Sequence, residues 1–211
     1  MTNTEPISGL TRQLTQAVDA LAGDRPPDLV PAAEAAAVLD VAYGVHDSPA
    51  GKLLLAATPR GLVRLAYLDT AEEDWVLQDL ARRVSPRVLL APRRLDGERR
   101  QLEQYFTGAR KAFDMPLDWR LCAGFGRRVL GATARIPYGG LATYKQVASE
   151  AGSPRASRAA GNALGANPLP IVVPCHRVVH SGGGLGGYTG GLERKRLLLG
   201  VEGHELALQA S

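Results

Sequence analysis

The chain has 211 residues, 45% of them hydrophobic and 22% charged, which is the composition of an ordinary globular protein with a sizeable core. The first residues show no basic stretch followed by an apolar one, and no apolar run reaches the about 18 residues of a membrane helix, so we expect neither a secretory signal nor a membrane span. The two cysteines, Cys122 and Cys175, are too few for a disulfide framework or a four-ligand zinc site, so we expect a reduced, cytoplasmic location.

Charge is distributed unevenly along the sequence. Residues 1–119 hold 14 Lys and Arg against 17 Asp and Glu, whereas residues 120–211 hold 11 against 4. A basic second half predicts a polyanion such as nucleic acid as partner. A basic surface also serves solubility, and this alternative stays open.

The first part of the sequence predicts a helical extension followed by strands. Residues 1–37 form the extension, in which apolar residues at helical spacing predict a helix over 7–21. From Val38 the pattern changes to short apolar runs that predict strands. These runs are 38–45, 52–58 and 61–68, and Thr58–Gly61 is the expected hairpin turn between the last two.

Two helices are expected after the strands. The first covers 71–84 and is predicted to place Trp75, Val76, Leu80 and Val84 on its inner side. The second is predicted to be capped by Asp96 and to bury Leu102, Tyr105 and Phe106. Residues 113–119 predict a strand or an extended link between the two halves.

The second half of the sequence is predicted to be mostly helical. A helix over 125–135 is ended by the proline and glycines that follow it. Thr143 can cap the next helix, with Gln146 at the position that completes a capping box. After a tight turn at 152–154, another helix is expected over 155–165, and two short helices joined in this way resemble a helix-turn-helix motif.

The second helix of this motif consists almost entirely of Ala, Gly, Ser, Asn and Arg. Arg155, Arg158 and Asn162 share one face, and arginines among small residues are suited to contact phosphates or bases. Gly161 in mid-helix costs about 1 kcal/mol relative to alanine, which favours a close contact at that position. The alternative is a small-residue helix packed on its neighbour, with its arginines in solvent.

The stretch IVVPCHRVV, Ile171–Val179, predicts a buried strand that leads into a thiol. Pro174 stiffens the approach to Cys175, and the positive groups of His176 and Arg177 are expected to lower the thiol pKa towards the nucleophilic thiolate. Because neighbouring residues of a strand point to opposite faces, His176 is expected to act through a bend or a bridging water.

A glycine-rich run, SGGGLGGYTGG at 181–191, predicts a loop able to wrap a ligand, and a helix is expected from Leu192. Gly182, Gly184 and Gly187 formally match the glycines of a dinucleotide-binding turn. No helix opens at the third glycine, and no second parallel strand follows, so we interpret the match as chance.

The motif Pro174-Cys175-His176-Arg177 with flanking valines resembles the O6-alkylguanine-DNA alkyltransferase family, the methylated-DNA–protein-cysteine methyltransferases. Asn167-Pro168 before it and GGYTGGL at 186–192 after it add to the resemblance, which is close over 136–203 and looser over 45–135. The resemblance implies an α+β fold, with a ribonuclease-H-like α/β domain over 38–119 and a mostly helical winged helix-turn-helix DNA-binding domain over 120–211. The second helix of that motif would enter the minor groove.

The resemblance also implies roles for individual residues. Cys175 would be the nucleophile and alkyl acceptor, His176 the water-linked base that forms the thiolate, and Glu202 the carboxylate that orients this histidine. Tyr144 would donate to the purine ring as it leaves, and Arg158 would fill the gap in the base stack. Apart from the resemblance, the shared helix face predicts further DNA contacts by Arg155 and Asn162, and Ser157 is expected to add another. Asn162 departs from the family, which usually has a glycine at this position. Leu164, Val178, Tyr188 and the Thr189 backbone would form the base pocket, and Asn167 would tie the helix-turn-helix to the active-site strand.

The implied activity is the repair of O6-alkylguanine in double-stranded DNA, by base flipping and one irreversible alkyl transfer to Cys175. The thioether product is not readily hydrolysed, so each molecule would act once, and no metal or organic cofactor is expected. We expect a monomer and leave cooperative assembly on DNA open.

Two alternatives remain beside this interpretation. A cysteine hydrolase that uses Cys175 and His176 would turn over, but the sequence has no recognisable oxyanion site. A non-catalytic lesion-binding protein would share the DNA surface, but the alkyltransferase-like proteins of that kind lack the acceptor cysteine.

Overall fold

A computed structural model of the chain describes residues 39–204. The helix expected over 7–21, with the rest of the extension, lies outside the described residues. Among the helices within 39–204, none has the length and apolar character needed to cross a bilayer.

The first domain is built on a four-stranded sheet. Its strands are β1 (Val41–Ser48), β2 (Gly51–Thr58), β3 (Gly61–Tyr67) and β4 (Val88–Leu90), in the order β3-β2-β1-β4. The first three form antiparallel hairpins, and β4 joins β1 in parallel. The predicted turn at Thr58–Gly61 is confirmed. Gly61 has a φ of 123°, and a Cβ there would lie 2.1 Å from the carbonyl oxygen of Pro116, so no other residue fits.

Helices cover both faces of this sheet. Helix α1 (Glu73–Arg83) packs on the face that carries Leu54 and Ala56 of β2. Helix α2 (Asp96–Phe106) and the second domain pack on the opposite face, which carries Leu53 and Leu55. Because side chains alternate along β2, one set packs into the core under α1 and the other into a core on the opposite face. The second core includes residues of both domains.

Two predictions about these helices are wrong. Trp75 is 54% exposed, because Val76 and Leu80 define the buried face of α1. The indole ring of Trp75 instead lies under the Arg64 guanidinium. Asp96 does not cap α2 with its side chain. A 3₁₀ turn, Pro92–Leu95, runs directly into the helix, so the Asp96 N–H already donates to the carbonyl of Arg93.

The second domain contains the predicted helix-turn-helix. Its helices are α3 (Gly124–Thr133), α4 (Tyr144–Glu150), α5 (Ser157–Gly165) and α6 (Leu192–Val201), with a small parallel pair of strands, β5 (Ala142–Thr143) and β6 (Val178–Val179). The predicted capping box is confirmed at the start of α4. Thr143 Oγ1 accepts from the Gln146 N–H at 3.2 Å, and Gln146 Oε1 accepts from the Thr143 N–H at 2.7 Å.

The strand predicted over Ile171–Val179 is wrong except for its last two residues, which form β6. Ile171 has a φ of 72°, and Cys175–Arg177 form a 3₁₀ turn. A left-handed conformation costs a β-branched residue about 1–3 kcal/mol. Burial on all sides removes the periodicity that would separate a strand from a buried turn, which explains the error.

Candidate active site

A pocket of about 320 Å³ lies between α4, α5 and the loop before α6, and Cys175 forms part of its wall. This volume is at the lower end of the range for small-ligand sites, about 300–1,000 Å³. Helix α4 contributes Tyr144, α5 contributes Leu164, and the loop contributes Tyr188 and Thr189. The structure therefore brings together five of the predicted site residues from four separate segments.

Hydroxyl groups attach the loop to both domains. The hydroxyl oxygen of Tyr188 lies 2.9 Å from that of Tyr67 in β3. Thr189 Oγ1 donates to the carbonyl oxygen of Gly165, at the end of α5, at 2.7 Å. The side chain of Thr189 therefore attaches the loop to the end of α5.

Tyr144 begins α4 and faces the same loop. Gly186 has a φ of 70°, and a Cβ there would lie 2.6 Å from the Tyr144 hydroxyl oxygen, so glycine allows this close approach. Burial raises the pKa of Tyr144, and a hydrogen bond with the Gly187 backbone acts in the opposite direction. The phenol is therefore protonated near neutral pH and able to donate a hydrogen bond.

The Cys175 thiol is buried and held by an amide. Asn167 Nδ2 donates to Cys175 Sγ at 3.1 Å and to the carbonyl oxygen of Val173 at 2.9 Å. Asn167 Oδ1 accepts from the Leu169 N–H at 3.0 Å. Asn167 lies two residues beyond the end of α5, so this one side chain links the helix-turn-helix to the turn that carries the thiol.

The thiol pKa is higher than the sequence predicts. Burial raises the pKa of Cys175 to about 11, against the lowering effects of the Asn167 hydrogen bond and the Lys195 charge. Arg177 is engaged elsewhere, since it pairs with Glu202. The resting thiol is therefore protonated, and a base is needed to form the nucleophile.

The imidazole of His176 has one nitrogen that can accept a proton. Its Nε2 lies 2.8 Å from Glu202 Oε1, and an ionised carboxylate only accepts hydrogen bonds, so Nε2 carries the proton and Nδ1 keeps its lone pair. Nδ1 is buried, with no hydrogen-bond partner within residues 39–204. Burial lowers the pKa of His176, while Glu202 acts in the opposite direction. The imidazole is therefore neutral near neutral pH.

Glu202, the residue after α6, accepts hydrogen bonds from four residues. Oε1 accepts from His176, from the Tyr105 hydroxyl at 2.7 Å and from Arg177 Nη2 at 2.9 Å. Oε2 accepts from Arg177 Nε at 2.9 Å and from the Gly139 N–H at 3.2 Å. Burial alone would raise the pKa of Glu202, but the hydrogen bonds from His176 and Arg177 lower it to about 2. The carboxylate is therefore ionised near neutral pH.

Sequence reasoning missed two of these partners. It interprets Tyr105 only as a core residue of α2, and Arg177 only as a charge near the thiol. No local signal could have found the Tyr105 contact, because it joins residues 97 positions apart. The arginine directly after the histidine was visible, but its bidentate pairing depends on the turn at Cys175–Arg177.

Lys195 was also missed. It is fully buried in α6, and its Nζ donates to the carbonyl oxygens of Val178 at 2.6 Å and of Leu185 in the loop. Its spacing to the buried Leu198 and Leu199 places it on the inner face of the helix, a signal present in the sequence. Val178, predicted to line the pocket, is buried in β6 and is not among the lining residues.

The predicted DNA-contact residues lie in or next to α5. Arg158 and Asn162 are exposed on the helix, Ser157 is half-buried at its first turn, and Arg155 is exposed before it begins. Arg158 forms no ion pair with any residue of the described range. A Cβ on Gly161 would lie 3.7 Å from the Tyr144 ring, an ordinary contact distance, so packing alone does not demand a glycine there.

Within residues 39–204, no group of three or more His, Cys, Asp and Glu could hold a metal ion.

The described fold and site define a two-domain protein that presents a buried thiol beside a helix-turn-helix. Residues 41–119 match the ribonuclease-like domain of 6-O-methylguanine DNA methyltransferase, and residues 124–204 match its DNA binding domain. The chain therefore belongs to the 6-O-methylguanine DNA methyltransferase family.

Individual relatives agree with this assignment. The methylated-DNA–protein-cysteine methyltransferase of Mycolicibacterium paratuberculosis is 40% identical over 166 residues, 77% of this chain and 92% of that protein. The protein of the same name from Methanosarcina barkeri is 37% identical over 169 residues, 78% of this chain and 98% of the relative. A crystal structure of Mycobacterium tuberculosis OGT in complex with DNA is 39% identical, with a TM-score of 0.66 over 76% of this chain and 92% of that one.

Proposed function

We propose that this protein repairs O6-alkylguanine in double-stranded DNA by a single, irreversible transfer of the alkyl group to Cys175. The observation that carries the proposal is the position of the Cys175 thiol in the wall of a small pocket next to α5. The family assignment and the DNA-bound structure of the M. tuberculosis relative support DNA as the partner. A cytoplasmic location and a monomeric state remain predictions.

The chemistry follows from the hydrogen bonds of the site. His176 Nδ1 takes the thiol proton through one bridging water, and Glu202 stabilises the imidazolium that forms. The Cys175 thiolate attacks the alkyl carbon, so that a C–S bond forms as the C–O6 bond breaks. The electron pair of that bond goes to the guanine, which is neutralised by a proton from Tyr144.

Base flipping is required because the O6-alkyl group cannot reach a buried thiol from within a stacked duplex. Arg158, exposed on α5, is proposed to fill the position that the base leaves. Arg155, Ser157 and Asn162 are proposed to contact the DNA on either side. Leu164, Tyr188 and the Thr189 backbone would hold the flipped base.

The alternatives are less well supported. A cysteine hydrolase would require turnover, whereas the thioether expected here is stable to water. A lesion-binding protein without activity would have no use for an acceptor thiol that is hydrogen-bonded by Asn167 and lies next to a base.

Intact-protein mass spectrometry after incubation with excess duplex containing O6-methylguanine tests the proposal. We expect a gain of one methylene, which stops at one equivalent and maps to the peptide that carries Cys175. The Cys122 peptide provides an internal control, and Cys175→Ser should gain no mass while it still binds the duplex. Binding of the lesion by the wild type without any mass gain would overturn the transfer.

A further inference from the structure

We propose that Tyr105 is a positioning residue of the transfer reaction: its hydroxyl, supplied by the sheet domain, fixes the Glu202 carboxylate and thereby sets the orientation and proton affinity of His176. This inference rests on the proposed function, but its test has a readout that does not depend on repair.

The first observation is the sharing of one oxygen atom. Glu202 Oε1 accepts from Tyr105 at 2.7 Å and from His176 Nε2 at 2.8 Å, and the Tyr105 oxygen lies 3.5 Å from Nε2. A carboxylate oxygen offers about two lone pairs, so donors that converge on it compete for them. The Tyr105 hydroxyl therefore weakens the attraction of Glu202 for the imidazole proton.

The second observation is that Tyr105 is held rigidly. Its ring is fully buried and packs against Phe106 at 5.4 Å, Phe113 at 5.3 Å and Tyr138 at 6.2 Å between ring centroids. Burial raises the pKa of the Tyr105 phenol, and Glu202 raises it further, so the hydroxyl stays protonated and donates. A donor fixed in this way determines where the carboxylate sits.

The third observation is the set of groups around His176. The charged and titratable groups around it are Glu202, Arg177, Lys195, Tyr105 and Tyr188, together with the Cys175 thiol, which interacts with the His176 backbone N–H. Arg177 and Lys195 disfavour the imidazolium, and Glu202 favours it. Tyr105 is the member of this set that comes from α2, so the ribonuclease-like domain takes part in the proton transfer of the other domain.

The test compares Tyr105→Phe with Tyr138→Phe. The first variant keeps the ring and removes only the hydroxyl on Glu202. The second removes the hydroxyl of the neighbouring ring, which donates to the carbonyl oxygen of Val201 at 2.6 Å. The readout is the pH dependence of Cys175 alkylation by iodoacetamide, with the Cys122 peptide as internal reference, followed by methyl transfer from duplex DNA.

In Tyr105→Phe, Glu202 should hold the imidazolium more strongly, so the acid limb of the rate profile should move to higher pH by roughly half to one pH unit. Tyr138→Phe should lose thermal stability without moving the limb. An unmoved limb in Tyr105→Phe, or equal shifts in both variants, would reduce Tyr105 to a packing residue. A wild type that is alkylated at Cys175 but takes no methyl group from DNA would overturn the proposed function instead.

A fluorinated tyrosine at position 105 provides a second test if Tyr105→Phe does not fold. Its hydroxyl is a stronger donor in the same place, so the limb should move to lower pH. A shift to higher pH, or none, would contradict the inference.

Discussion

Asn167 donates from one amide nitrogen both to the thiol of Cys175 at 3.1 Å and to the carbonyl oxygen of Val173 at 2.9 Å. The amide therefore fixes the path of the chain and stabilises a thiolate in the same place. Because Asn167 lies two residues after the end of α5, its side chain links the helix-turn-helix to the turn that carries Cys175. A side chain with both functions should be sensitive to a change in charge as well as to a change in shape.

Asn167→Asp tests the effect of charge. The substitution keeps the size of the side chain but places a carboxylate beside Sγ, which should raise the pKa of Cys175 further. We expect the rate of reaction with O6-benzylguanine at neutral pH to fall at least about tenfold, since one pKa unit changes the thiolate fraction tenfold. Asn162→Asp, the same change at an exposed position of α5, is the control. Equal thiol titration curves for wild type and Asn167→Asp would show that the Asn167 amide does not stabilise the Cys175 thiolate.

Glu202 should make stability depend on acid pH. Its pKa is lowered from 4.5 to about 2 in the folded protein, so its stabilising effect is complete above about pH 4.5 and is lost as the pH falls towards 2. Glu202→Gln should remove this dependence. It should also lower the free energy of unfolding at neutral pH by about 3–5 kcal/mol, because Arg177 is left buried without its partner.

Urea unfolding of wild type and Glu202→Gln at a series of acid pH values measures this prediction. Glu150→Gln, at a largely exposed ion pair with Arg135, is the control and should leave the acid dependence nearly unchanged. A wild type and a Glu202→Gln variant that lose stability in parallel between pH 4.5 and 2 would contradict it.

Much of the fold was predictable because its signals are local. The hairpin at Thr58–Gly61 and the capping box of Thr143 and Gln146 each depend on residues at most three positions apart. The orientation of α1 was partly missed, because an aromatic residue next to the apolar face, Trp75, was assigned to that face.

The detailed geometry of the site was not predictable from local signals. Ile171 adopts a left-handed conformation because the surrounding core compensates for its energetic cost. No neighbouring residue type predicts this conformation. The contact of Tyr105 with Glu202 joins two domains. The sequence motif therefore singles out Cys175 and His176, whereas the contacts that Tyr105, Arg177 and Lys195 make around them depend on tertiary packing.

Lys195 should affect both the loop and the thiol. Lys195→Met leaves the carbonyl groups of Val178 and Leu185 without their donor and removes the charge that lowers the Cys175 pKa. We expect the thiol pKa to rise and the reaction with O6-benzylguanine to slow by about tenfold or more. Lys145→Met, at an exposed position, should change neither quantity.

The same residue gives a prediction at alkaline pH. Burial lowers the pKa of Lys195 from 10.5 to about 8, so between these values the unfolded chain binds more protons than the folded one. This group alone should therefore make stability rise from about pH 8 to 10.5. The difference in unfolding free energy between wild type and Lys195→Met should grow over that range, and a constant difference would show that the lysine is not destabilised by burial.

Arg158 should matter only when the base has to leave a stack. Because it lies exposed on α5 and forms no ion pair with the described residues, Arg158→Ala should leave the thiol, the pocket and the fold unchanged. Under the proposed role, loss of the Arg158 side chain from the gap should slow repair of duplex O6-methylguanine by about 10- to 100-fold, the equivalent of the 1–3 kcal/mol of one stacking contact. The reaction with free O6-benzylguanine, which needs no flipping, should proceed at the wild-type rate.

Arg135→Ala is the matched control for the loss of a positive charge from the same domain, since Arg135 is exposed and pairs with Glu150 at 3.2 Å. It should weaken binding of any duplex slightly and should not separate the two substrates. Single-turnover rates of wild type and both variants on the two substrates, measured at one salt concentration, distinguish a role in base flipping from a general loss of charge. Equal slowing of both substrates in Arg158→Ala would assign the arginine to folding or pocket structure, whereas slowing on the duplex alone would place it in the flipping step.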